Sequence, residues 1–120
     1  MEMKMRNKFL ALILIITGAT TIFGHDVPKE EVVAYINSKE VKEKACVEKA
    51  EIQKDLPRLL VIEVGECWFK LGEKERREFA QKWYKAWRHS VAKGIISIVE
   101  KGTSNAVVNF RPDGQVDLTK

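Results

Sequence analysis

Phe9 to Ile16 is an unbroken run without charge, preceded by Lys4, Arg6 and Lys8 against the single acid Glu2. Small or hydroxylated residues follow, Thr17 to Thr21. A basic start, a short apolar middle and a small-residue end are the three parts of a secretory signal peptide. The uncharged stretch Phe9–Gly24 has 16 residues, short of the roughly 20 that span a bilayer as a helix. A buried helix of a cytosolic domain would carry a polar face, and Phe9–Ile16 has none. The pattern predicts a signal segment over residues 1–24 and a single folded body over 25–120. Cleavage would fall after Ala19, with Thr17 three residues before the cut, or after Gly24, with Ile22 there. If the segment stays attached as an anchor, the flanking positive charges keep its start in the cytoplasm and still place the body outside.

Beyond the segment the periodicity changes. Pro28 stands where a helix can begin, with Glu30 and Glu31 near the positive end of its dipole and Val32, Val33 and Ile36 as an apolar face. Asn37-Ser38 can end that helix and cap another from Lys39 to about Cys46. Residues 48–54 read either as a continued helix or as a strand that turns at Asp55-Leu56-Pro57. The strand reading is preferred, because Arg58–Val64 is a short β-branched apolar run bounded by Pro57 and Gly65. Trp68, Phe69 and Leu71 read as a continuation of it past a kink at Gly65.

Glu73–Lys93 is the clearest helix. Phe79, Trp83 and Trp87 recur at i,i+4 to make one wide apolar face, with acids early, bases late and Gly94 as terminator. Ile95–Glu100, Ala106–Phe110 and Gln115–Thr119 then read as a three-strand meander, with Arg111-Pro112-Asp113-Gly114 as its second turn. A helix with three large aromatics on one face and a sheet with one apolar face hide each other best in two layers. The expected fold is therefore α+β, a long amphipathic helix on a mainly antiparallel sheet of three to five strands.

The chain has 120 residues and 21 Lys+Arg against 17 Asp+Glu, a net charge of +4. The body keeps 18 basic and 16 acidic residues, which is nearly balanced and gives no footprint for nucleic acid. Arg76, Arg77, Lys82, Lys85, Arg88 and Lys93 surround Trp83, Tyr84 and Trp87 on the long helix. Charges on the wet side and aromatics on the core side account for that pattern; an exposed Trp83 would instead mark a partner or lipid surface. Tyr84 lies off the centre of the stripe and is expected to be partly exposed.

Candidate chemistry is sparse. Cys46 and Cys67 suit an oxidising compartment and would form a disulfide or stand as two buried thiols. Redox catalysis would need a low-pKa thiolate, and there is no CxxC pair. Only His25 and His89 could join the cysteines in a metal site, without the close pairs that zinc uses. Copper on the amine and imidazole of a newly exposed His25 would need His89 as well, a residue already suited to a helix C-terminus. Ser90 beside His89 points away from it on a helix, and Glu63 and Glu66 are not marked as a catalytic pair. No phosphate loop is present.

These readings assign no catalytic, cofactor-binding or metal residues. They point to an exported, periplasmic or extracellular, non-enzymatic domain that binds a protein partner or its own copy, with sheet edges as one means of pairing. The alternatives are thiol chemistry at Cys67 or Cys46, and a surface protein held to the membrane through its N-terminal segment alone. The intact mass of the chain recovered from outside the cytoplasm should correspond to loss of the first 19 or 24 residues; a full-length mass would reject cleavage.

Overall fold

The computed structural model describes residues 27–119, so the signal segment and His25 lie outside the described residues. The elements run α1 (Lys29–Ile36), α2 (Lys39–Ala45), β1 (Val47–Ile52), β2 (Leu59–Val64), a 3-10 turn (Glu66–Lys70), α3 (Glu73–Ser90), β3 (Ile95–Glu100), β4 (Val108–Phe110) and β5 (Val116–Leu118). The fold is α+β, with a three-stranded sheet, a separate two-stranded sheet and the long helix.

The helical entry follows from local chemistry. Glu30 and Glu31 sit in the first turn of α1, and the Ser38 hydroxyl accepts from Val41 N–H to cap α2. Residues 48–54 are strand up to Ile52: β1 pairs antiparallel with β2, Ala50 facing Ile62 and Ile52 facing Leu60. The turn at 53–58 closes this hairpin through Gln53 N–H to Leu59 O at 2.9 Å.

Three expectations are corrected. First, β2 and β3 are parallel, from Leu59 opposite Ile95 to Val64 opposite Glu100, so the sheet is mixed rather than mainly antiparallel. The reason is topological: α3 connects them, and a helix crossing over a sheet returns the chain to the starting edge of the next strand. Second, Trp68, Phe69 and Leu71 do not extend β2. The chain tightens into the 3-10 turn, which carries Trp68 to full burial while Cys67 stays exposed. Third, the meander is interrupted. β3 meets the next segment at the Val99–Ala106 bridge, through Glu100 N–H to Asn105 O and Val107 N–H to Ile98 O, after which β4 and β5 pair apart from the main sheet.

The long helix also ends earlier than predicted, at Ser90. Lys93, not Gly94, takes the left-handed conformation, with φ of 58°. Gly94 is needed for space instead. A Cβ there would lie 2.7 Å from Trp87 Cδ1 and 2.9 Å from its Nε1. The Trp87 indole thereby reaches the Arg58 carbonyl at 2.9 Å, an oxygen that also accepts Ile95 N–H at 2.8 Å. One acceptor thus ties the end of α3 to the starts of β2 and β3. At Arg111–Gly114 the turn is as expected, with Gly114 at φ of 89° and its N–H on Arg111 O.

The core lies between the three helices and one face of the sheet. Leu60, Ile62 and Val64 of β2 and Ile96 and Ile98 of β3 are buried on that face. Val32 and Ile36 of α1, with Ala80, Trp83 and Trp87 of α3, cover them. Trp83 stacks between Trp68 and Phe79, with ring centroids 6.0 and 5.6 Å away. The outer edge of β1 is closed by a side chain. Asn37 donates its amide to Ala50 O and accepts Ala50 N–H, both at 2.8 Å, imitating a paired strand at that position.

Replacing Asn37 with Ala leaves both backbone groups of Ala50 without these partners. We expect unfolding in urea to require about 1–3 kcal/mol less. A variant as stable as the parent would show that the bracket contributes nothing.

Candidate functional site

Cys46 and Cys67 form a disulfide, with Cα atoms 5.7 Å apart and a sequence separation of 21. Cys46 caps the C-terminus of α2 in the left-handed conformation, φ 61°, a position that usually favours Gly. It is buried, whereas Cys67 is exposed on the 3-10 turn. The bond fastens the helix–strand junction before β1 to the segment just after β2, beside the hydrogen bond from Gly65 N–H to Cys46 O at 2.8 Å.

The structural helix face is as read from spacing for Trp83 and Trp87, which are fully buried, while Phe79 packs against the core at half burial. Trp83 is 1% exposed, so it does not project from the surface as an exposed aromatic. Tyr84 is half-buried, packs against Phe110 with tilted rings 4.8 Å apart and accepts a hydrogen bond from Arg88 at 2.8 Å. The Ser90 hydroxyl is buried without a hydrogen bond, hence not poised on His89. Glu63 lies on β2 opposite Lys49, and Glu66 opens the 3-10 turn. Among the described residues no three His, Cys, Asp or Glu side chains gather as metal ligands. No helix among them is long and apolar enough to cross a membrane.

The feature that sequence reasoning missed is a groove between α1 and α3, about 460 Å³ in volume. Its floor is Val32, Ile36, Trp83 and Ala86. Val32 and Ile36 are one turn apart on α1, and Ala86, a turn beyond Lys82, is small enough to leave the space open. Lys82, Lys85 and His89 form the wall on the α3 side. All three are exposed. Lys82 Nζ sits 5.3 Å from the ring centre of Tyr35, the exposed aromatic of the facing wall. Among the described residues none of the three basic groups has a carboxylate partner. Each of these side chains is visible in the sequence as a helical position. Their meeting is not, because it depends on α1 being the neighbour of α3.

A second basic strip runs past the groove through Arg88 to Lys93, and Arg58 donates to Lys93 O at 3.0 Å. The turn that follows β4, whose Asp113 lines a hollow together with Lys85, Arg88 and His89, matches its charges internally instead. Arg111 bonds Asp113 at 3.1 Å and lies 3.5 Å from Asp117, which raises the Arg111 pKa. The Gln115 N–H and Arg111 together hold the Asp113 carboxyl below its ordinary value.

No protein-family model matches the chain, and no curated protein or solved structure resembles it significantly.

Reduction of the Cys46–Cys67 bond should lower the free energy of unfolding by about 3 kcal/mol, the value for a closed loop of this length. Urea transitions of the oxidised and reduced chain measure it. Thiol titration of the unfolded, unreduced protein should find no free sulfhydryl.

Proposed function

We propose that the protein is a small exported, non-enzymatic domain that acts by binding a protein partner through the groove between α1 and α3. The observation that carries this reading is the groove itself, an open apolar floor beside the basic side chains Lys82, Lys85 and His89, none of which forms an ion pair among the described residues. Its volume is in the range of sites that bind ligands. The disulfide is compatible with maturation in an oxidising compartment.

Two rival readings fare worse on physical grounds. Pairing of sheet edges between copies is hindered at both sides, since Asn37 occupies the outer edge of β1 and residues 106–107 bond along β3. A two-fold dimer through the groove would set the basic wall of Lys82 and Lys85 against its own copy, like charge on like. Thiol chemistry would need a stabilised thiolate. Cys46 stands at the C-terminal end of α2, where the helix dipole opposes negative charge. An uncleaved N-terminal anchor would leave the binding role of the body unchanged.

The test is affinity capture from envelope and medium fractions with the parent and with Ala86→Trp, which fills the groove. We expect a protein that the parent recovers reproducibly and the variant loses by ~10-fold or more, at an unchanged urea midpoint. Capture indifferent to Ala86→Trp would reject the groove as the binding site. A concentration-dependent dimer in sedimentation that the variant abolishes would make the partner a second copy.

A further inference from the structure

We infer that the occupant of the groove is an amphipathic α-helix of the partner, carrying a row of carboxylates along one flank. This rests on the proposed binding role of the groove and specifies what that role selects.

Lys82, Lys85 and His89 stand at i, i+3 and i+7 of α3, so they lie along one stripe and spread over about 10 Å of helix axis. A single carboxylate or phosphate head on an alkyl chain could face only one end of such a row. A ligand that meets the whole row must present several acids at a similar repeat. A second helix does this with Asp or Glu at i, i+3 or i+4, and i+7, laid alongside α3.

The floor supplies the other half of the fit. Val32, Ile36, Trp83 and Ala86 are apolar and come from two helices. The space between two helices accepts a third through its i, i+3, i+4, i+7 apolar anchors. A helix with an apolar face and an adjoining acidic flank would set the first on the floor and the second against the α3 wall. The facing wall contributes no competing acid: Tyr35 lines it, with Lys82 drawn over its ring. Neither Lys85 nor His89 forms an ion pair among the described residues, so a partner carboxylate displaces none. The ammonium groups of Lys82 and Lys85 repel their counterparts on a second copy and steer an acidic helix toward the groove.

Three fluorescent peptides of about 18 residues test this. All share a Leu stripe; the flanking row is Glu in one, Gln in the second and Lys in the third. Fluorescence anisotropy with the purified, disulfide-bonded protein should give ~10-fold tighter binding of the Glu peptide than of the Gln peptide. That advantage should shrink in about 0.5 M salt. The double substitution K82E/K85E lies on exposed positions, and it should reverse the order so that the Lys peptide binds best. Equal affinity for the Glu and Gln peptides would overturn the acidic flank while leaving the groove reading intact. Preferential displacement of the Glu peptide by dodecanoate would overturn it in favour of a lipid-like ligand. If none of the peptides bound, the helical occupant would be rejected, and the Ala86→Trp capture would decide separately whether the groove is used.

Discussion

Three indoles have to leave water together, and that requirement organises the molecule. Trp83 and Trp87 are four residues apart on α3, and Trp68 reaches the same interior from the turn after β2. Each is worth about 2–3 kcal/mol when buried, but only if all three find one cavity. The 3-10 turn is the device that makes this happen, because an extended continuation of β2 would alternate Trp68 and its neighbours between faces. Helix α3 then lies across the sheet, and the crossing fixes β3 parallel to β2. The indole N–H groups of Trp68 and Trp83 have no acceptor in this interior. The stack is therefore favourable net of two desolvated donors, while Trp87 recovers its own through Arg58.

Much of this was legible in the residues. The long helix, its aromatic face, the two short helices before β1 and the Arg111–Gly114 turn follow from spacing, capping residues and turn chemistry that act within a few positions. The direction of β3 was not legible. Ile95–Glu100 has the same β-branched content whichever way it pairs, and only the length and path of the connection through α3 decide. The role of Gly94 was misread for a related reason. Its sequence position suits a helix terminator, but the steric demand comes from Trp87, a residue one full helix end away in packing.

The groove was less legible than the fold. Lys82, Lys85 and His89 each have an ordinary explanation as wet or dipole-matching side chains of α3, and Val32 and Ile36 as the apolar face of α1. What gives them common meaning is the adjacency of two helices separated by the whole of the β1–β2 hairpin. Periodicity reports which face of an element is apolar, not which element that face will meet. Ala86 is the one local hint: a small side chain between large ones on a packed face either admits a neighbour closely or leaves a hollow.

The left-handed Cys46 has a consequence for how the molecule opens. Helix α2 cannot unwind at that end without pulling on Cys67, and Cys67 precedes the buried Trp68 in the same turn. A fluctuation at the helix–strand junction is thereby transmitted to the aromatic interior. Fraying that would elsewhere remain confined to a few residues instead requires α2, the hairpin and the turn to come apart as one cooperative unit.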